Sequence, residues 1–339
     1  MSSTETLSVI ASSVASAQQI VVLQADNPDA DSLGSALALE HILGDMGKDV
    51  TLCCSVDMPG YLKHLEGWDR VQKDLPASFD MTILVDASVV SLIDRLSDAT
   101  YAGALKHRPF IILDHHATTR DEISFASIAI NDPSVSSTGE LIYQVAQALK
   151  WPVSIEAGER IMSAILGDTQ GLTNDLATAE TYRIMADLID SGVSRPKLEE
   201  ARREMSKMPE PIFRYKADLI KRTELYFNDT IALVTVPQSE INMYSPLYNP
   251  SALVHADILQ TEGIKIAIVL KHYDSGRVTA AIRANQGAPI AGKLAEQLGG
   301  GGHDFASGFK IEDGRPLSEI KSECIRLAND LLQTQSQES

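Results

Sequence analysis

Cysteine is nearly missing from this 339-residue chain: three occur, Cys53 and Cys54 adjacent in an apolar run and Cys324 far away in a helical pattern. That scarcity excludes a disulfide framework and a thiolate metal site, and leaves all three as small buried apolar residues. No apolar run approaches the ~18 residues of a membrane span. The start MSSTETLSVIASSVASAQQ lacks a basic segment followed by an apolar core, so the sequence predicts a soluble, reduced, cytoplasmic protein that engages no membrane. Positive charge is scarce too, with 29 Lys and Arg against 46 Asp and Glu and a formal net charge of −17. A protein that coats long nucleic acid draws its affinity from neutralised phosphates, so that class is excluded. A few basic side chains in one cleft still suffice for a short nucleotide, and carboxylates gathered around divalent cations add to the negative count. GxGxxG, GxxxxGK[ST] and GxSxG are all missing, which removes the simplest dinucleotide, P-loop and serine-hydrolase alternatives.

What the chain has in quantity is Ala, Ile, Leu and Val; aromatics make up only 5%. The length suits two domains. IVVLQ at 20–24, DVTLCCSV, MTILVDAS at 81–88 and PFIILDHHA at 109–117 read as strands that alternate with helical segments, such as ALALEHILGDMG ending at Gly47. This predicts an α/β fold whose N-terminal half is a doubly wound parallel sheet, with ligands gathered beyond the carboxyl ends of the strands. STGELIYQVAQAL (137–149), IEAGERIMSAILGDTQGL (155–172) and TAETYRIMADLIDSG, closed by Gly192, add helices. The stretch from Ser194 to about Leu225 is rich in Lys and Arg and is interrupted by Pro209 and Pro211. It reads as a helical connector with a solvated face, the alternative being a wall of a cleft that steers short polyanions. Beyond it TIALVTV, KIAIVLKHY and RVTAAIRAN are strand-like, the last two joined through DSG as a hairpin, and a final helix runs from Leu317 to Leu332. The predicted domains are 1–193, a connector at 194–225, and a smaller α+β domain with a mixed sheet at 226–339.

Four acidic motifs follow buried apolar segments. In NPDAD, Asp29 and Asp31 are close enough to repel unless something positive lies between them, although a helix N-cap role also suits such a residue. ILVDAS carries Asp86, which is costly as an isolated buried carboxylate and unremarked in a surface turn. ILDHHA places Asp114, His115 and His116 directly after an apolar strand, a run of three that capping does not account for. Asp168 in ILGDTQGL completes the set. Oxygen ligands with one or two imidazoles suit Mn²⁺ or Mg²⁺, and two such ions ~3.5 to 4 Å apart activate a water and neutralise a phosphate oxygen. That is hydrolytic chemistry on phosphorus.

In this order NPDAD, ILVDAS, ILDHHA and ILGDTQGL resemble the four motifs of the DHH phosphoesterases. GGGGH at 299–303, followed by DFASGF, is similar to the signature of their DHH-associated domain. The short two-domain layout points to the nanoRNase and pAp-phosphatase branch. The resemblance implies Asp29 on one metal, Asp31, His115 and Asp168 on the other, and Asp86 bridging them, with Mn²⁺ as the ion and Mg²⁺ or Co²⁺ as substitutes. It also implies that His116 faces the substrate phosphate, that Asp114 supports the histidines, and that His303, Gly300, Gly301, Gly302 and Arg283 hold the substrate's terminal phosphate or sugar. Glycine amides form an anion nest and Arg a planar phosphate fork, which agrees with those roles; taken alone, GGGGH reads as a flexible turn and Arg283 as a solvated strand residue. The implied substrates are nanoRNA, pApA or pAp, with cyclic dinucleotides as a further possibility within the class, and the implied assembly is a homodimer.

The family has His where this chain has Ala25, four residues before Asp29. The first metal thereby loses a ligand that Asp26, Gln24 or a water would replace, Asp26 being the best placed. A degenerate nucleotide-binding or regulatory protein is the alternative that this departure motivates. His41, His64, His107, His255 and His272 are scattered and read as surface or core residues.

Overall fold

The computed structural model describes residues 4–93, 99–117, 123–205, 207–245 and 248–338. The chain falls into two compact units, Met1–Lys207 and Met208–Ser339. The connector stretch is two helices, α7 (Arg195–Met205) in the first unit and α8 (Glu210–Lys221) in the second. Pro209 is the N-cap of α8, where its fixed φ and missing N–H cost nothing. Ser206 of the connector and residues 1–3 lie outside the described residues.

The first unit is built on β1 (Gln19–Leu23), β2 (Asp49–Cys53), β3 (Met81–Val85), β4 (Phe110–Asp114) and β5 (Ile128–Asn131), all parallel, in the order β2-β1-β3-β4-β5. This is the doubly wound sheet expected from the apolar runs. A strand buried on both faces needs no polar alternation, and β3 and β4 are buried at every position. Ile20 and Val22 belong to a core shared with α1 (Thr4–Ser16), α2 (Ala30–Asp45), α4 (Thr138–Leu149) and α5 (Ile155–Asp168). Val21 and Leu23, one step along the pleat, join a second core with Phe110, Ile112 and Leu105 of α3 (Ala99–Lys106). Asp29, Ser137 and Ser154 cap α2, α4 and α5, and Thr178 and Thr181 form a capping box on α6 (Ala179–Asp190).

The second unit carries a mixed sheet of β6 (Glu224–Tyr226), β7 (Ile231–Pro237), β8 (Ile266–His272), β9 (Val278–Ala284), β10 (Gly301–His303) and β11 (Ala306–Ile311), ordered β10-β11-β9-β8-β7-β6. Only β7 and β8 pair in parallel. β8 and β9 form the expected hairpin, closed by hydrogen bonds between Tyr273 and Arg277 and from Gly276 to Tyr273. Along β7, Ile231 and Leu233 pack toward α11 (Ala291–Gln297) and α12 (Leu317–Glu338). Ala232, Val234 and Val236 pack on the other face with α8, α9 (Gln238–Tyr244) and α10 (Pro250–Leu259). All three cysteines are buried and unbridged, and burial pushes the Cys53 and Cys324 thiols up to about 12. Among the described residues no helix is long and apolar enough to cross a membrane.

Candidate metal centre

The sequence-predicted ligands converge at the carboxyl ends of β1, β3 and β4. Asp29 and Asp31 stand at the start of α2, Asp86 follows β3, Asp114 ends β4 with His115 and His116 after it, and Asp168 is the last residue of α5. Small residues bring the helices close enough for this. A methyl added to Gly139 of α4 would overlap that of Ala164 in α5, and one on Gly34 of α2 would lie 2.9 Å from the Arg160 carbonyl oxygen.

Asp31 is fully buried, and the first turn of α4 holds it. The Thr138 amide donates to Oδ2 at 2.7 Å, the Gly139 amide to Oδ1 at 2.9 Å, and Ser35 Oγ to Oδ1 at 3.0 Å. A helix N-terminus favours an anion, yet burial, followed by the charge of Asp168, pushes the Asp31 carboxyl up to about 6. Asp86 takes a left-handed backbone (φ 60), a conformation that costs a non-glycine residue on the order of 1 kcal/mol, and accepts from Thr138 Oγ1 at 3.1 Å. Burial first, then Asp31, Asp29 and Asp168, raise its carboxyl well above the usual range. Asp168 lies at a helix C-terminus, where the dipole opposes a carboxylate.

His115 binds these acids together. Its Nε2 lies 2.9 Å from Asp168 Oδ2, 3.6 Å from Asp31 Oδ2 and 3.7 Å from Asp86 Oδ1. It is buried and makes no well-aligned hydrogen bond to any of them. Burial pulls its pKa down, but Asp168 and Asp31 outweigh that and the net shift is upward. Ligand atoms of Asp31, His115 and Asp168 all lie within 4.8 Å of one another, as do those of Asp86, His115 and His116. Among the described residues no Lys or Arg pairs with Asp31, Asp86 or Asp168. Crowded, desolvated carboxylates around an unsatisfied imidazole nitrogen fit a divalent cation and are costly without one.

Asp114, fully buried, works from behind. Its Oδ1 accepts from the amides of His115 (2.9 Å) and His116 (3.2 Å) and from His116 Nδ1 at 2.8 Å. Burial alone would raise this carboxyl, but the hydrogen bonds from His116 and Ser88 keep it low, and the same bond from Asp114 raises His116. A carboxylate can only accept, so Nδ1 of His116 carries a proton and Nε2 is left for other work.

Asp29 both caps α2, accepting from the Ser32 amide at 3.0 Å, and lines a cavity of about 130 Å³ with Ala25, Asn27, Asp86, Asp114 and His116. Asp26 Oδ1 accepts from Ser55 Oγ, and its amide donates to the Leu92 carbonyl at 2.7 Å. Gln24 is fully buried with no hydrogen-bond partner for its side chain.

In the second unit β10 pairs His303 with Ala306 of β11, which in turn pairs with Arg283 of β9, so Arg283 and His303 lie in one row across three strands. Both are exposed. Gly302 has φ 137, and a Cβ there would lie 2.6 Å from Ser307 Cα. GGGGH is thus a turn at Gly299 (φ 78) leading into a short edge strand, Gly301–His303, where the sequence alone suggested a turn throughout.

This fold and site define a DHH-type protein. Residues 19–169 match the DHH family, N-terminal domain, and residues 249–334 match the DHHA1 domain, so the chain carries both domains. Among its relatives is the bifunctional oligoribonuclease and PAP phosphatase NrnA of Thermus thermophilus, 26% identical over 84% of this chain and 82% of that protein. Among solved structures, an exopolyphosphatase-related protein from Bacteroides fragilis superimposes with TM-score 0.79 at 21% identity over 98% of both chains. RecJ from Thermus thermophilus, solved in complex with Mn²⁺, does so with TM-score 0.52 at 16% identity, over 96% of this chain and 54% of its own. Family and site together support a phosphoester hydrolase.

Sequence reading passed over Thr138, Gly139 and Ser35, which orient Asp31 and Asp86. The only signal for Thr138 and Gly139 was STG opening a helix, which reads as a cap, and Ser35 had none. It passed over Tyr61 as well, whose hydroxyl donates to the Pro28 carbonyl at 3.3 Å across the NPDAD loop.

Proposed function

We propose that this chain is a phosphoesterase dependent on two divalent ions, Mn²⁺ by preference, that cleaves short oligonucleotides, pApA or pAp to mononucleotides. The observation that carries the reading is the unsatisfied His115 Nε2 set among Asp31, Asp86 and Asp168. The name of the Thermus relative and the Mn²⁺ complex of RecJ agree with it.

Asp31, His115 and Asp168 would hold one ion, Asp29 the other, and Asp86 both. When bound, the ions supply charge neutralisation at the phosphate and a nucleophilic water. The protein supplies orientation. Thr138 and Gly139 aim Asp31, Thr138 Oγ1 aims Asp86, and Asp114 fixes the His116 ring so that Nε2 presents a hydrogen bond to a phosphate oxygen and a proton to the leaving oxygen. In the second unit we assign Arg283, His303 and the amides of Gly300, Gly301 and Gly302 to the substrate's terminal phosphate or sugar.

Purified protein incubated with Mn²⁺ and pApA, pAp or RNA of two to five residues is expected to release mononucleotide, with at least a thousandfold loss in Asp86→Ala. Tight binding without metal-dependent release would establish instead the binding-protein alternative that Ala25 motivates.

A further inference from the structure

The first unit contains a second, larger cavity, of about 700 Å³, on the flank of the metal loop. Ala30, between Asp29 and Asp31, and Gly167, before Asp168, form its inner wall, so it begins one residue away from three of the acids. Its outer wall is α7, whose Arg195, Arg202 and Arg203 line it with Glu199. Arg202 binds Glu199 through Nε (2.9 Å) and Nη2 (2.7 Å), Arg203 adds Nε at 3.0 Å, and Arg195 Nη2 reaches the Gly171 carbonyl at 3.3 Å. Three guanidinium groups against one carboxylate make a cationic groove in a chain of net charge −17.

Leu62, Leu166, Leu198 and Met205 give the groove an apolar floor, and Tyr61 stands at its edge, 63% exposed. The phenol is anchored over the metal loop by its bond to Pro28, so the ring's position is set relative to Asp29. His64 also lines the groove, and its Nδ1 lies 2.8 Å from the Tyr61 carbonyl. A carbonyl accepts, so Nδ1 carries the proton; burial and the charge of Arg202 lower this histidine's pKa, which leaves Nε2 an acceptor.

We propose that this groove seats a second nucleotide of the substrate, its base stacked on Tyr61, its phosphate on Arg202 and Arg203, and a sugar hydroxyl or base amine on His64 Nε2. A π-face, a cationic track and an apolar floor together are the recognition chemistry of single-stranded nucleic acid, and the volume lies within the about 300–1,000 Å³ of ligand pockets. The assignment rests on the phosphoesterase reading, because the groove shares a wall with the metal loop.

Binding separates the two. With the full-length Asp86→Asn protein, the Kd of a 5′-phosphorylated RNA trinucleotide, measured by calorimetry, is expected to rise at least tenfold on Tyr61→Leu and on Arg202→Gln/Arg203→Gln. Tyr61→Phe, which keeps the ring and loses the Pro28 bond, is expected to stay within threefold of the parent. The double arginine variant is also expected to flatten the salt dependence, which Tyr61→Leu leaves unchanged. Arg183→Gln/Arg214→Gln, an equal charge change elsewhere, controls for bulk electrostatics. Both groove variants binding within twofold of the parent, or a control that weakens binding as much as they do, would overturn the groove. Absence of Mn²⁺-dependent turnover in wild type would overturn the phosphoesterase reading and leave the binding result standing.

Discussion

At Asp114 one carboxylate oxygen receives three hydrogen bonds, two from backbone amides and one from His116 Nδ1. Asp114→Asn substitutes a donor-bearing amide that removes the charge and permits the other His116 tautomer. We expect kcat to fall at least a hundredfold with KM changed less, and the alkaline limb of the kcat profile to move to lower pH as His116 loses the partner that raises its pKa. A raised KM with kcat unchanged would point to substrate binding instead. Ala25 offers the opposite experiment. It lines the small cavity with Asp29 and Asn27, and on the proposed reading the first ion would lack the imidazole that the family has at this position. Wild type is therefore expected to need more than low-micromolar Mn²⁺, and Ala25→His to lower the half-saturating Mn²⁺ about tenfold or more, within the ~10–100-fold range for changes around metal sites. Wild-type saturation at low micromolar Mn²⁺ would refute this.

The helices α2, α4 and α5 set the ligand spacing, and they do so by touching through Gly34, Gly139 and Ala164. Gly139→Ala is expected to destabilise the protein by ~1–3 kcal/mol through overpacking and to weaken metal affinity, because the Gly139 amide that holds Asp31 moves with the backbone. Gly139→Ala/Ala164→Gly is expected to recover most of both in urea and metal titrations. The acidic motifs were legible because three follow strands of the buried sheet and the fourth, with Asp168, ends the apolar helix α5, so that in each an apolar run stops abruptly at a charge. What shapes them was less so. The Gly139 amide and Thr138 hydroxyl act across more than fifty residues of sequence, and no local pattern encodes that distance. The short edge strands β5, β6 and β10 escaped for a related reason: with exposed positions and few residues they carry no apolar run. The helix α10 follows the Asn249 cap, but it is buried around much of its circumference and so lacks the one-sided stripe that marks an amphipathic helix. The bond between Ser55 and Asp26 was likewise illegible, because it joins residues 29 apart in sequence.

On the scale of the molecule, the two units are expected to answer different solution variables, and the chain carries its own optical label for telling them apart. Both tryptophans, Trp68 and Trp151, belong to the first unit, so tryptophan-detected melting follows the unit that holds the acids. On the proposed reading Mn²⁺ would bind the folded arrangement and not the unfolded chain, so adding it is expected to raise that transition, by ~2.7 kcal/mol at a hundred times Kd, and chelation to reverse the gain. The second unit contains His255, which burial first and the charge of Arg283 second push down to about 4. Its imidazole titrates near 6.5 when unfolded, so protons bind the unfolded chain first as pH falls. Stability from this group is complete above about pH 6.5 and drains away toward about pH 4, by roughly 3 kcal/mol in all. Acidification from pH 7.5 to 5 is therefore expected to lower the far-ultraviolet circular dichroism transition of wild type more than that of His255→Gln. Tryptophan-detected melting should show no such difference between the two proteins. A His255→Gln protein whose dichroism transition shifts with pH as far as wild type's would show that this imidazole is not held neutral by the fold.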